Sequence, residues 1–158
     1  WLQDAGHPVI GIGKISDIFS GQGLDHSLIG SDMVLMQHLK DQFAQAADGS
    51  FVFANFVEFD SLYGHRRDVA GYARALEWFD RALASLLAAM KPDDLLILTA
   101  DHGNDPTWPG TDHTRERVPV LCAGMGPKPL GLLGFEDVAA TVATYLNVTP
   151  KGQGKSFL

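Results

Sequence analysis

Short, near-continuous apolar runs alternate with longer stretches of helical periodicity along this chain, and few architectures accept that alternation. Residues 8–15, 51–57, 95–99 and 118–123 are too short for helices and are rich in β-branched, aromatic and leucine side chains, so each reads as a buried strand. Residues 31–47 carry Met33, Met36, Leu39 and Phe43 at helical spacing, with Lys40, Asp41 and Gln45 facing out. Residues 68–90 are the clearest helix: Val69, Tyr72, Leu76, Phe79, Leu83, Leu86 and Leu87 form an apolar stripe, Asp68 is placed to cap its start, and Glu77 can pair with Arg81. Residues 135–146 form a closing helix, after glycines and prolines that make 124–134 irregular. Gly21, Gly23 and Asp25-His26-Ser27 read as loop. The expected fold class is α/β, a mostly parallel sheet with helices on both faces, and residues 1–158 are expected to form one domain. In such a sheet each helix returns the chain, so the strands end on one edge and ligands gather there.

Composition narrows the function classes. The 158 residues are 46% hydrophobic and 20% charged, enough for one sizeable core. A net charge of −7 and an isoelectric point of about 5.2 give no footprint for nucleic acid or an anionic membrane. An acidic chain that handles phosphates must make its positive field locally, and bound metal ions do that. The single cysteine, Cys122, allows no internal disulfide and sits in an apolar run, as a buried inert thiol would. With no leader and no membrane-length apolar stretch apparent, a cytoplasmic location is expected. Trp1 opens the chain without an initiator methionine and almost directly before a strand, as expected of a piece of a longer protein.

Two loops carry metal-ligand chemistry. The strand at 95–99 empties into Ala100-Asp101-His102-Gly103, and Pro106, Pro109 and Gly110 bend the chain so that His113 can fold back. The strand at 51–57 ends in Glu58-Phe59-Asp60-Ser61-Leu62-Tyr63-Gly64-His65. Asp60, His65, Asp101, His102 and His113 offer mixed oxygen and nitrogen donors, which suit a divalent transition metal better than calcium or magnesium. On neighbouring parallel strands these loops would face one another across one or two ions.

The segments Phe56-Val57-Glu58-Phe59-Asp60-Ser61-Leu62-Tyr63-Gly64-His65-Arg66-Arg67-Asp68 and Thr99-Ala100-Asp101-His102-Gly103-Asn104-Asp105-Pro106-Thr107, continued by Gly110-Thr111-Asp112-His113-Thr114-Arg115-Glu116, resemble the metal-binding signature of the phosphopentomutase family. That family belongs to the alkaline phosphatase superfamily. The stretch from Val9 to Gly23 resembles it as well, and the likeness runs to the C-terminus. It implies the C-terminal part of an alkaline-phosphatase-like core, lacking an N-terminal part and a substrate-covering cap domain. Residue by residue, it implies that Asp60, His65 and His113 bind one metal and that Asp101 and His102 bind its neighbour. Manganese is the usual metal in the family, and two cations about 4 Å apart suit the in-line transfer of a phosphoryl group. The implied reaction interconverts (deoxy)ribose 1-phosphate and (deoxy)ribose 5-phosphate through a phosphothreonine enzyme.

The family's threonine nucleophile and an additional metal-binding aspartate belong to the N-terminal part, and neither motif is present. Thr99, Thr107, Thr111 and Thr114 do not stand in the nucleophile's context. The chain alone is therefore expected to be inactive, with the N-terminal part of the same protein as its partner. Lys14, Arg66 and Arg115 are candidates for contact with substrate phosphate, as are Arg67 and Arg117. The arginines have a competing role, pairing with Asp68, Asp112 or Glu116 to hold the loops. His7, His26 and His38 are expected to be ordinary polar residues. Other members of the superfamily, such as the cofactor-independent phosphoglycerate mutases, phosphodiesterases and sulfatases, share an aspartate-histidine metal edge. A non-catalytic α/β interaction domain is the remaining alternative.

Overall fold

Val9–Ile12 (β1) is buried along its whole length, and an all-apolar strand of that kind needs partners on both edges and cover on both faces. The computed structural model describes the whole of Trp1–Leu158. In it β1 lies between His26–Leu28 (β2) and Phe51–Ala54 (β3), and both neighbours run parallel to it. The register sets Ile10 beside His26 and Val52, and Ile12 beside Leu28 and Ala54. Between β1 and β2 the chain forms one short helical turn, Ile15–Ile18 (α1). Asp32–Gln45 (α2) packs on β1 and β3, and its Leu35 joins Ile10 and Ile12 in a core ringed by Leu28, Leu39, Val52, Ala54 and Phe56. Each such aliphatic side chain contributes roughly 1.5–3 kcal/mol on burial. Val69–Ala89 (α3) packs against α2; Asp68 caps it by accepting a hydrogen bond from the Gly71 amide at 2.8 Å, and Gly71, Leu83 and Leu86 are its buried residues. Glu77 and Arg81 meet at 3.9 Å on its exposed face.

The α/β class and the parallel sheet are as the sequence implies, with instructive differences. The loop expected around His26 contains β2, a strand with no apolar run of its own. It forms because β1 is there to pair with, and because the Asp25 carboxylate accepts from the Val9 amide at 2.8 Å. The first strand stops at Ile12, not Ile15, because Gly13 turns the chain at φ +81°, where a Cβ would lie 2.2 Å from the Asn55 carbonyl oxygen. Of the two methionines expected in the core, Met36 is buried as expected and Met33 is 71% exposed. Val69, Leu76 and Leu87 of the α3 stripe are also exposed.

The strands expected at 95–99 and 118–123 appear as Leu96–Leu98 (β4) and Leu121–Ala123 (β5), and they pair antiparallel in a sheet of their own. The connection between them explains this. A parallel pair requires a crossover, usually helical, and the segment from Thr99 to Val120 has no helix. It doubles back on itself instead, with Gly103 and Thr114 forming an antiparallel bridge.

Phe135–Tyr145 (α4) follows an irregular stretch and holds the tail. The fully buried Thr141 hydroxyl donates to the Asp137 carbonyl at 2.7 Å and accepts from the Phe157 amide at 3.0 Å. The Asp137 carboxylate accepts from the Lys155 amide at 2.7 Å, and the Phe157 side chain is buried. No helix is long and apolar enough to cross a membrane.

Candidate metal centre

After β3 the chain winds into Phe59–Gly64, a π-helical turn whose His65 amide donates to the Asp60 carbonyl at 2.9 Å. This i to i+5 spacing sets residue 65 beside residue 60, which an α-helical turn would not do; such wide turns recur at functional sites. Packing holds the turn in place. Phe59 meets Tyr72 and Phe79 edge-on, with ring centroids 5.8 and 5.9 Å apart, and Phe56 meets Phe79 at 5.1 Å. Beneath it, the buried Asp32 carboxylate accepts from the Val57 and Glu58 amides at 3.1 and 3.2 Å. Burial, with Glu58 nearby, pushes the Asp32 pKa up to about 6.

The opposite loop starts at the end of β4. Beyond the Gly103–Thr114 bridge, the Asp105 amide takes the Thr114 hydroxyl as acceptor at 2.9 Å, and the Asp105 carboxylate accepts from the Thr107 hydroxyl and amide at 2.7 and 2.8 Å. Those Thr107 bonds hold the Asp105 carboxyl below its usual range. Arg67, in the left-handed region at φ 55°, reaches across from the first loop. Its guanidinium donates to the carbonyls of Gly64, Asp105, Gly110 and Asp112 and to the Asn104 side chain. The loop-holding role weighed for Arg67 is therefore realised, through the Asp112 carbonyl rather than its carboxylate.

Four of the five predicted ligands converge as a result. His65 Nε2 lies 3.2 Å from Asp60 Oδ2 and 3.1 Å from His113 Nε2, which in turn lies 3.3 Å from Asp60 Oδ1. His102 stacks on His113 with ring centroids 3.8 Å apart, and donor atoms of Asp60, His102 and His113 all fall within 4.8 Å of one another. Asp101 is more exposed, with its Oδ2 3.6 Å from His102 Nε2.

The donor chemistry fits a cation. His65 Nδ1 faces the Thr111 carbonyl and His102 Nδ1 faces the Gly103 carbonyl at 3.2 Å. A carbonyl only accepts, so each Nδ1 carries a hydrogen, and Nε2 is the ring nitrogen left to face the cluster. A carboxylate and imidazole nitrogens gathered at these separations suit a divalent cation placed among them. The spacings match the edges of a coordination shell with bonds of about 2.1 Å. Although burial pushes the Asp60 carboxyl up, the Asn104 hydrogen bond and the nearby His65, His113 and His102 outweigh it and hold the pKa below the usual value.

A cleft of about 330 Å³ opens beside the cluster, lined by Asp101, His102, His113, Thr114, Arg115 and Phe135 among others. Arg115 alone of the five phosphate-contact candidates borders it. Arg66 is exposed next to His65, and Lys14 is exposed just past β1, on the edge that β3 also reaches. His7 bonds the Gly49 carbonyl at 2.8 Å and His26 lies in β2, so neither joins the cluster. The sequence reading missed Asn104 and Asp32. Asn104 is buried and donates from Nδ2 to Asp60 Oδ1 at 2.6 Å, and only its place in Asp101-His102-Gly103-Asn104-Asp105 pointed toward it.

A turn after the parallel strand β3 and a loop after the antiparallel strand β4 bring aspartates and histidines together in a metal-dependent α/β core, and the family comparison agrees. The model of the Metalloenzyme superfamily matches residues 7–150, and the chain belongs to that superfamily. Among its relatives, the phosphopentomutase of Shewanella denitrificans is 52% identical over 161 residues, covering 99% of this chain and 40% of that protein. The phosphopentomutase of Chromohalobacter salexigens is 51% identical over 166 residues, and that of Yersinia pseudotuberculosis is 51% identical over 162. Both matches likewise cover 99% of this chain and 40% of the relative, so the chain spans about two fifths of the length of the curated relatives it matches.

Proposed function

We propose that this chain is the C-terminal, metal-binding portion of a phosphopentomutase core, which interconverts (deoxy)ribose 1-phosphate and (deoxy)ribose 5-phosphate. The supporting observation is the convergence of Asp60, His65, His102 and His113, within a chain about half identical over nearly its whole length to proteins of that name. Asp60, His65 and His113 hold one divalent cation and Asp101 and His102 a second, both manganese. When bound, the pair of cations supplies charge stabilisation to a phosphoryl group in transfer. His65 and His102 are oriented by the Thr111 and Gly103 carbonyls and Asp60 by the Asn104 amide, so little reorganisation of these groups accompanies binding. Arg115, on the wall of the adjoining cleft, takes substrate phosphate oxygens by bidentate hydrogen bonding, and Lys14 and Arg66 approach from the same edge. The nucleophilic threonine and the further aspartate of the second metal belong to the N-terminal part of the protein, so this chain alone does not turn over. The location is cytoplasmic.

Two measurements test this reading. Metal analysis of the chain after exposure to Mn²⁺ should give stoichiometric metal that a chelator removes. Ribose 1-phosphate should not be converted by the chain alone, but should be converted when the rest of the protein is present. Turnover by the chain alone would place the nucleophile within it and overturn that assignment. Failure of the chain to take up manganese would overturn the metal centre.

A further inference from the structure

We propose that Asn104, clamped by Arg67, is a positioning residue that fixes which oxygen of Asp60 meets which histidine. This rests on the metal-centre reading above and deepens it. Asp60 Oδ1 contacts both Asn104 Nδ2 at 2.6 Å and His113 Nε2 at 3.3 Å, while Oδ2 contacts His65 Nε2 at 3.2 Å. A carboxylate on a free side chain exchanges its two oxygens by rotation. Here the amide N–H holds one oxygen and so breaks that equivalence.

The amide cannot flip to release it. Asn104 Oδ1 accepts from Arg67 Nη1, so a flipped amide would press its NH₂ against the guanidinium and its oxygen against the Asp60 carboxylate. Arg67 in turn is fixed by backbone carbonyls of both loops. The approach also requires a glycine at position 64, because a Cβ there would lie 2.6 Å from Asn104 Nδ2. Asn104 itself is only 7% exposed, and a buried amide with both ends satisfied has one low-energy orientation. Gly64, Arg67 and Asn104 thus act through Asp60 without being ligands.

The test is Mn²⁺ affinity, measured by calorimetry on the chain and on Asn104→Ala, Asn104→Leu, Arg67→Lys and Arg67→Lys with Asn104→Ala, alongside thermal unfolding of each. Outer-shell partners of metal ligands are worth about 10–100-fold in affinity, and both Asn104 variants are expected to lose that much. Leucine keeps the branched heavy-atom shape of asparagine and removes the donor, so it separates orientation from loss of the side chain and remains informative if the alanine variant unfolds. Arg67→Lys should weaken binding more in the wild-type background than in Asn104→Ala, as coupled residues do. Wild-type affinity within about twofold in Asn104→Leu, or an Arg67→Lys effect equal in both backgrounds, would overturn the proposal while leaving the metal centre intact. A wild-type chain that takes up no manganese overturns both, and is recognised by its own silent titration.

Discussion

Asp60 and His65 stand on a turn wedged by aromatic rings against α3 and tied from below by Asp32. Asp101, His102 and His113 stand on a long loop with no helix, a single bridge and a few side-chain hydrogen bonds. The first half of the centre is shaped by packing, and burial makes that shape durable. The second is shaped by hydrogen bonds, several of them donated by Arg67 from the first half. Such a division lets one face of a metal site stay rigid while the other borrows its geometry.

The comparison breaks most visibly at the ligands. His113→Ala should lower Mn²⁺ affinity by more than the 10–100-fold associated with outer-shell changes. Its thermal midpoint without metal should move little, since the side chain is 47% exposed. Tight stoichiometric manganese in that variant would mean the loop supplies no ligand there. Next, Phe59→Ala should destabilise the fold by about 2–4 kcal/mol in urea unfolding, whereas Trp108→Ala, at a side chain 59% exposed on the opposite loop, should stay within about 0.5 kcal/mol. Equal losses would erase the contrast between a packed half and a hydrogen-bonded one.

Asp32 sharpens the picture through pH. Its pKa rises from 3.8 to about 6 on folding, so between those values the folded state keeps a proton that the unfolded chain has released. Stability from this group is therefore full below about pH 4 and declines as pH rises toward about 6, by up to about 3 kcal/mol. Urea titrations at pH 4, 5, 6 and 7 should show that decline in the wild type and a flatter profile in Asp32→Asn; parallel profiles would remove Asp32 from beneath the turn. The smallest effect belongs to the outer face of α3, where Glu77→Ala should change stability by no more than about 0.5 kcal/mol, as exposed pairs do.

The parts of this molecule legible in the sequence are those with a period or a motif. The apolar run of β1 and the stripe and cap of α3 announced themselves by spacing, and the loops after two strands singled out Asp60, His65, Asp101, His102 and His113, of which the fold brings all but Asp101 together. β2 did not, because His26-Ser27-Leu28 has no pattern of its own and becomes a strand only where β1 offers a partner. The antiparallel pairing of β4 and β5 follows from the missing crossover helix between them, whereas their apolar runs alone look the same as those of parallel strands. Asn104 and Asp32 were illegible for a different reason. Their roles are set by residues far along the chain, Asp60 and Val57, and no local pattern encodes such a meeting.

The clasp at the far end has a practical bearing. With the Phe157 ring seated and its amide on Thr141, the closing residues serve as a plug rather than a loose thread. Clipping the chain after Lys155 would leave a hydroxyl in a dry socket without its donor, while a fusion joined to the half-open Leu158 would leave the stopper in place.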